Sequence, residues 1–418
     1  MKTGKGATIF SWSLYDFANT IFAMNVTSFY FPLWVKETKG GGLIYILPFF
    51  ISMLLVSISL PIMGVISDRY RRRIPFLAFF TLICIVFTGL MGTVNSLVLG
   101  LLFYAIANFC YQSGMVFYNA LLPEISTEDE IGRVSGYGVS LGYVGTIAGL
   151  LMVWPFVNGL NIKIGLVHFQ MEGGGYEAVF IPTAILFLIF SLPCFFFVKD
   201  KAPVAIKKFE LGIGEAFRKL KNTLINIKKY PGLLPFLVAI FISLNAVNTV
   251  ILSMAVYSRE IIHFSKADVM RFFIISTIFA VFGSFIVGFV TDRFGPKRTL
   301  SFTLLGWVGT ITLAALSVTR STFWIVGPLA GLCLGATWVS ARPLIVELAP
   351  AGKTGEFFGL AGLVGKSSAI FGPPIWGLII WALGFSELAY RIATLFLAVL
   401  VFVGLVILQK VPETRKVR

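Results

Sequence analysis

The stretch GVISDRYRRR, residues 64–73, directly follows a long apolar run and recurs as GFVTDRFGPKR, residues 288–298, after another. Both copies contain a glycine, an Asp-Arg pair and a basic end. The matches stand at a constant offset of 224 and pair Gly64, Asp68, Arg69 and Arg73 with Gly288, Asp292, Arg293 and Lys297. A repeat of this kind indicates a chain built from two similar halves.

A second set of matches, at an offset of 223, follows each loop. It pairs Glu124 with Glu347, and Gly132, Gly136, Gly142 and Gly149 with Gly355, Gly359, Gly365 and Gly372. We expect these glycines to allow close packing and rocking of helices rather than ligand contact. Such repeats are typical of secondary transporters, whose substrate site lies near the bilayer midplane between the halves.

The composition places both halves in a membrane. The chain has 418 residues, of which 57% are hydrophobic and 13% charged, and its mean hydropathy is +0.89. Apolar runs of about 18–25 residues recur along its length, as membrane-spanning helices require. We predict an all-α integral membrane protein with twelve transmembrane helices at 9–35, 43–66, 75–94, 96–121, 133–158, 177–198, 233–257, 268–291, 299–318, 322–349, 354–381 and 386–410.

Topology explains the positive charge of the chain. Of its 34 Lys and Arg residues, 24 fall on the side that carries both termini and 6 on the opposite side. Because cytoplasmic segments carry the excess of Lys and Arg, both termini are predicted to be cytoplasmic. The net charge of +15 then reflects topology and attraction to anionic membrane lipids, and no nucleic-acid partner is expected.

The longest polar segment divides the spans into two sets of six. We predict a six-helix bundle over 1–198, a basic cytoplasmic linker over 199–232 and a second six-helix bundle over 233–418. Within the linker, apolar residues recur at helical spacing among lysines and arginines. This pattern is typical of an amphipathic helix on the cytoplasmic leaflet, and equally of a solvated charged linker.

The repeated loop resembles the signature of the major facilitator superfamily. Four further stretches narrow the resemblance: LYDFANT (14–20), YNALLPEI (118–125), GRVSGYGVSLGYVG (132–145) and SARPLIVELAPAGKTGEFFGLAGLVGKSSAIFGP (340–373). They look like the branch that contains the fungal vacuolar amino-acid effluxers and their bacterial relatives. Since the chain lacks the large insertions of the fungal proteins, we expect it in the cell membrane of a prokaryote.

The resemblance implies that the two loops are conformational latches, which hold the cytoplasmic side shut in one state and do not bind substrate. Physically, each glycine permits close helix approach, and each Asp can accept hydrogen bonds from the N-terminal amides of a neighbouring helix. The arginines are expected to anchor the loops at the anionic leaflet.

Polar residues inside the spans are candidates for substrate binding or coupling, because charged groups at membrane depth are costly. Asp16 and Asn19 share one face of the first span, and similar polar stripes lie along one face of the fourth and seventh spans. The candidates on these stripes and in span five are Asp16, Asn19, Asn119, Tyr143, Asn245 and Asn248. The superfamily's first, fourth, seventh and tenth helices line its central cavity, so we expect the stripes to face water.

Two cations also fall inside the spans. Arg342 lies at a depth close to that of Asp16, and Lys366 lies about 18 Å into span eleven, near the midplane of a ~30 Å core. We expect Asp16 to face one of them, either as a fixed ion pair or as a gate broken in each cycle. One anion against two cations favours a ligand with a carboxylate, and Lys366 is its expected partner unless it snorkels to an interface.

We therefore predict a secondary active transporter that exports a small polar solute, such as an amino acid, with proton coupling through Asp16 as a hypothesis. An amphiphile or inorganic ion is the alternative substrate, and a non-transporting membrane sensor or scaffold is the rival class. The sequence has no catalytic constellation, cofactor motif or metal cluster, so an enzyme is not expected. The expected partners are the substrate, protons and membrane lipids, and the expected state is a monomer.

Overall fold

The computed structural model describes residues 4–39, 46–70, 72–94, 96–164, 167–200 and 213–413, which are nearly all helical. The elements in chain order are α1 Lys5–Phe22, a π-helix Ala23–Tyr30, α2 Phe31–Lys39, α3 Ile46–Tyr70, α4 Arg73–Met91, α5 Leu97–Ala120, α6 Leu122–Ile125, α7 Ile131–Asn158, β1 Leu160–Ile164, β2 Val167–Met171, α8 Phe180–Phe197, α9 Ile213–Ile225, α10 Leu233–Glu260, α11 Lys266–Phe294, α12 Pro296–Leu316, α13 Arg320–Leu348, α14 Thr354–Ala382 and α15 Glu387–Leu408. Short 3₁₀ turns at Tyr176–Val179 and Ile227–Lys229 precede α8 and α10.

Long apolar runs account for most of these helices. Within the described residues, eleven helices are long and apolar enough to cross a membrane. They correspond to α3–α5, α7, α8 and α10–α15, and each lies within a few residues of a predicted span. The predicted first span, 9–35, falls on α1, the π-helix and α2, which follow one another without a break. The count of twelve spans and the cytoplasmic termini stay predictions.

The π-helix is an irregular segment inside the predicted first span. Its Asn25 is fully buried, and the Asn25 Nδ2 donates hydrogen bonds to Gly149 O and to Thr183 Oγ1, both at 3.2 Å. These bonds tie the segment to α7 and α8. π-helical turns are rare in proteins, and those that occur are often found at functional sites. This segment therefore distinguishes the first span from a helix that only packs against its neighbours.

The chain divides into two compact units. The first comprises Met1–Ser59, Tyr70–Ile125 and Leu141–Phe209, and the second comprises Leu60–Arg69, Ser126–Ser140 and Glu210–Arg418. The end of α3 and the start of α7 therefore group with helices from the second half of the sequence. The division of the chain at 199–232 stays a prediction.

A two-stranded antiparallel hairpin, β1–β2, connects α7 to α8. Its backbone register places Leu160 opposite Met171 and Lys163 opposite His168. The two strands exchange backbone hydrogen bonds, whereas a single strand here would leave its N–H and C=O groups without backbone partners.

Glycines set the distance between helices in the second unit. A Cβ added at Gly372 of α14 would lie 2.6 Å from the backbone oxygen of Asn245 on α10, and closer still to Thr249 Oγ1. Gly377, on the same helix, has no neighbour within 4 Å of the corresponding position. Close packing of α14 on α10 therefore requires glycine at the first position and not at the second.

We predict that Gly372→Ala destabilises the protein and that the control Gly377→Ala does not. Overpacking in a dense interior costs about 1–3 kcal/mol, whereas replacing a helical glycine by alanine gains about 0.5–1 kcal/mol at either position. The midpoint of thermal unfolding in detergent measures the difference. Equal midpoints for the two variants would contradict the close packing.

Candidate functional site

The Asp68 carboxylate at the end of α3 caps the N-terminus of α14. Its Oδ1 accepts a hydrogen bond from the backbone N–H of Gly355 at 2.7 Å, and its Oδ2 accepts one from Glu356 at 2.8 Å. First-turn N–H groups have no partner within their own helix, and a carboxylate satisfies them and complements the helix dipole. We call Gly64, Asp68, Gly355 and Glu356 the first cap.

Asp292 at the end of α11 caps the N-terminus of α7 in the same way. Its Oδ1 accepts from the backbone N–H of Gly132 at 2.7 Å, and its Oδ2 from that of Arg133 at 3.1 Å. The Arg133 side chain adds a third bond, from Nε to Asp292 Oδ2, at 2.8 Å. We call Gly288, Asp292, Gly132 and Arg133 the second cap.

Paired glycines let each carboxylate reach its helix. A Cβ at Gly64 would overlap the carbonyl oxygen of Gly355, and a Cβ at Gly288 would lie 2.9 Å from that of Gly132. Each cap thus joins a loop from one half of the sequence to a helix start from the other half. The predicted hydrogen bonds from helix amides to both aspartates are confirmed, and the opening of the caps during transport stays a prediction.

The arginines that follow the two aspartates have different partners. Arg69 forms an ion pair with Glu215 of α9, and the hydrogen bond from Arg69 holds the pKa of Glu215 below its ordinary value. The matched Arg293 is exposed and lies over the ring of Phe294 at 5.4 Å from its centroid. Anchoring of either arginine at the anionic leaflet stays a prediction.

The basic residues that end the two loops also differ. Arg73 is buried and donates to Glu124 Oε1 at 2.7 Å. Lys297 instead donates from Nζ to the backbone oxygen of Gln409 at 3.2 Å. Since an ammonium lacks the planar fork of a guanidinium, the sequence match between these residues does not extend to their contacts.

The linker contributes the helix α9 and Tyr230 to the surroundings of the first cap. Lys353 Nζ donates to Thr223 Oγ1 at 3.0 Å and to Tyr230 Oη at 2.6 Å. Burial opposes the charge of Lys353, but its hydrogen bond to Tyr230 and the nearby Glu356 carboxylate raise the pKa of its ammonium. The helix predicted within the linker is present as α9. The linker contacts Lys353 through the hydroxyl groups of Thr223 and Tyr230. Its contact with the cytoplasmic leaflet stays a prediction.

A cavity of about 470 Å³ lies beside the first cap. It is bounded by α9 and the segment after it on one side and by residues of the first cap on the other. Its lining residues are Val65, Asp68, Arg69, Lys219, Asn222, Thr223, Asn226, Lys229, Tyr230, Gly352, Lys353 and Glu356. Charged and polar side chains thus surround a space that several water molecules could occupy.

Asp16 and Asn19 are buried in the first unit, one turn apart on α1. The Asn19 Nδ2 donates to Asp16 Oδ1 at 3.1 Å and to Met115 Sδ at 3.3 Å. The two residues are 3% and 1% exposed, so neither faces lipid. On the next turn, Thr20 Oγ1 donates to Gly142 O of α7 at 2.6 Å. Asp16 and Asn19 are therefore enclosed by protein, whereas Thr20 is half-buried. The water-filled cavity along the stripe stays a prediction.

Asn119, Tyr143 and Arg342 are half-buried. The Asn119 Oδ1 has no hydrogen-bond donor within the described part of the chain. Leaving a buried acceptor unsatisfied costs about 1–3 kcal/mol, so this oxygen is available to a ligand or to water. Arg342 belongs to the second unit and Asp16 to the first, and their pairing stays a prediction.

The structure brings Asn248 of α10 to the turn of α14 that carries Lys366. Asn248 Nδ2 donates to Ser368 Oγ at 3.3 Å, and Ser368 Oγ donates to Gly365 O at 2.7 Å. The Asn245 Oδ1, one turn away on α10, is buried and has no donor among the described residues. Lys366 is half-buried, and its ammonium has no hydrogen bond or ion pair to any described residue.

Sequence reasoning missed two charged residues at the first cap, Glu356 within it and Lys353 beside it. Glu356 is 4% exposed and its Oε2 lies 3.5 Å from Lys353 Nζ. The second repeat register carried the signal, because an offset of 223 places Glu356 opposite Arg133 and reverses the charge. A reversal at one position of a matched pair indicates that the two halves differ there in their chemistry.

The helical fold, the two matched caps and the polar residues inside the spans define a membrane transporter of the major facilitator superfamily. The crystal structure of the human organic anion transporter MFSD10 shares the fold at 12% identity, with a TM-score of 0.75 over 98% of this chain and 100% of that one. The E. coli fucose:proton symporter FucP shares it at 12% identity, with a TM-score of 0.74 over 98% of each chain.

The chain belongs to the family described as Vacuole effluxer Atg22 like, whose model matches residues 44–418. The uncharacterized MFS-type transporter YxiO of Bacillus subtilis is 27% identical over 96% of this chain and 94% of its own length. An uncharacterized protein of Aquifex aeolicus is 26% identical over 96% of both chains. Autophagy-related protein 22-1 of Penicillium rubens is 22% identical over 68% of this chain and 49% of its own. The family and the structural neighbours are transporters, not enzymes.

We predict that Asp68→Asn and Asp292→Asn slow turnover several-fold and leave the affinity for ligand within a few-fold. An amide keeps one acceptor oxygen, so each variant loses one of its two bonds to helix amides, and neither aspartate is expected to touch substrate. Turnover is measured in proteoliposomes and affinity by equilibrium binding. Glu128→Gln, an exposed acid in the loop before α7, is the control, and lost affinity with normal turnover would contradict the assignment.

Proposed function

We propose that this protein exports a small polar metabolite that carries a carboxylate, such as an amino acid, across the cell membrane by alternating access. The observation that carries the proposal is Lys366, a cation inside an apolar helix with no partner among the described residues. An ammonium group near the membrane midplane is costly unless an anion or water satisfies it. A substrate carboxylate would supply that anion when it binds.

The neighbours of Lys366 suit a zwitterion better than a simple anion. Asn248 Nδ2 has a second hydrogen that can bind one carboxylate oxygen, and the Asn245 Oδ1 is an acceptor without a donor in the described chain. A substrate ammonium is a donor that such an oxygen accepts. We therefore place the carboxylate at Lys366 and the ammonium toward Asn245.

Export and proton coupling are further parts of the proposal. The family is described as effluxer-like, which supports export, and a neighbour of the same fold is named as a proton symporter. Asp16 is the buried carboxylate of α1 that can carry a proton, and Asn19 already donates to one of its oxygens. Residence in the cell membrane is also part of the proposal, and the bacterial relative that matches nearly the whole chain supports it.

We predict that a carboxylate ligand found by a thermal-shift screen of amino acids loses its effect in Lys366→Ala. A ligand at a hundred times its Kd stabilises the folded state by about 2.7 kcal/mol, and removal of its counter-charge abolishes that gain. Lys366→Arg should weaken binding through altered reach and donor geometry. Lys229→Ala, an exposed lysine after α9, is the control. A full thermal shift in Lys366→Ala would overturn the proposed carboxylate site.

We predict that Asp16→Asn retains ligand binding but makes transport independent of a pH gradient. The amide has nearly the same shape and cannot carry a proton across the cycle. Flux in proteoliposomes with and without an imposed gradient tests this, with Asp129→Asn in the exposed loop before α7 as the control. Unchanged gradient dependence in Asp16→Asn would rule out Asp16 as the proton carrier.

A further inference from the structure

The two caps share their backbone geometry but carry opposite charge at the third helical residue. In the second cap this residue is Arg133, whose guanidinium donates to the capping Asp292 at 2.8 Å. In the first cap it is Glu356, whose backbone N–H binds the capping Asp68. The side chain there adds a second carboxylate to one already present. The first cap therefore contains two carboxylates, whereas the second contains a carboxylate and the guanidinium that binds it.

Glu356 is poorly compensated by its surroundings. It is 4% exposed, and its Oε1 has no hydrogen-bond donor within the described residues. Its Oε2 lies 3.5 Å from Lys353 Nζ, the cation with which it forms an ion pair. Removing one partner of a buried ion pair is strongly destabilising, because an uncompensated charge remains. The state of the first cap thus depends on where the Lys353 ammonium lies.

The linker holds that ammonium in place. Thr223 of α9 is 2% exposed and accepts a hydrogen bond from Lys353 Nζ, and Tyr230 accepts another. The ammonium also lies 4.7 Å from the centre of the Tyr230 ring, within the range of a cation–π interaction. On the other side of the cap, Glu215 of α9 pairs with Arg69. The linker therefore contacts basic residues on both sides of the first cap.

The adjacent cavity gives Lys353 space to leave Glu356. Lys353, Glu356, Thr223 and Tyr230 all border its volume of about 470 Å³. The lysine can turn into this space and be hydrated there without repacking of the helices. Its contact with Glu356 can thus be broken and reformed within one cycle.

We propose that Lys353 is a positioning residue of the transport cycle: held by the linker, it neutralises Glu356 and keeps Asp68 bound to the start of α14. Movement of α9 and Tyr230 away from Lys353 leaves two carboxylates together and opens the first cap. The linker thereby controls the first cap. This inference rests on the proposed alternating access and not on the identity of the substrate.

The test measures how often the first cap opens. Ser67 is fully buried, and its Cβ lies 2.9 Å from the position of a Cβ added at Gly355. In a full-length background without the native cysteines, Ser67→Cys reports opening through its alkylation by a membrane-impermeant maleimide on inside-out vesicles. No substrate is added, so failure of the carboxylate proposal leaves this measurement unaffected.

We expect Lys353→Met to speed alkylation about tenfold, because it strands the Glu356 charge. Adding Glu356→Gln to Lys353→Met should return the rate to within about twofold of the parent, since no buried charge then remains uncompensated. Lys353→Arg keeps the charge and should stay near the parent. Lys229→Met removes a cation from the same cavity that has no partner in the described chain, and it should change nothing.

A purely structural role for Lys353 would lower the thermal midpoint without this pattern of rescue. An unchanged alkylation rate in Lys353→Met, or failure of Glu356→Gln to restore it, would overturn the proposal. If Lys353→Met does not fold, the double variant Thr223→Val/Tyr230→Phe removes the linker's hydrogen bonds and leaves Lys353 intact. It should speed alkylation about threefold, and a rate equal to the parent would equally overturn the proposal.

Discussion

The N-terminus of an α-helix presents N–H groups that its own backbone cannot satisfy. At two helices of this protein, an aspartate from another helix accepts hydrogen bonds from these groups. Asp68 binds two such groups of α14 and Asp292 binds two of α7. The carboxylate can reach only if two backbones come almost into contact, which explains the glycines at both positions of each cap. Three residues per cap, the two glycines and the aspartate, are thus fixed by one hydrogen-bonding requirement, and their spacing is the same in the two halves.

A cap of this kind suits a helix–helix contact that has to open and close, as alternating access would require. Each hydrogen bond contributes only about 0.5–1.5 kcal/mol net, or ~1.5–3 kcal/mol where a charged group takes part, and water can replace the carboxylate when the helices separate. The charges around the carboxylate then influence how readily it leaves the helix N-terminus. The Arg133 side chain strengthens the second cap from within, whereas Glu356 brings a second negative charge to the first. Two caps of the same geometry therefore carry different charges.

The sequence was sufficient for the eleven described helices that are long and apolar enough to cross a membrane, and for the hydrogen bonds of the caps. Membrane thickness sets the length of an apolar run, so ends such as those of α4 and α10 follow from hydropathy alone. The caps follow from Gly and Asp at a fixed spacing, because the glycine permits close helix approach and the carboxylate accepts hydrogen bonds from the first amides of a neighbouring helix. The π-helix at Ala23–Tyr30 and the contact between Asn248 and Ser368 could not be predicted. They depend on which helices meet, and a single sequence does not contain that information.

The polar residues inside the helices fall into two groups by what satisfies them. The Thr20 hydroxyl and the Asn25 Nδ2 donate to backbone or side-chain oxygens of neighbouring helices, so these donors are used in folding. The Asn119 and Asn245 side-chain oxygens and the Lys366 ammonium have no such partners in the described chain. Groups of this second kind destabilise the protein that keeps them. Folding therefore does not explain their presence. The proposed substrate, with its carboxylate and its ammonium, would supply what Lys366 and Asn245 of the second unit lack.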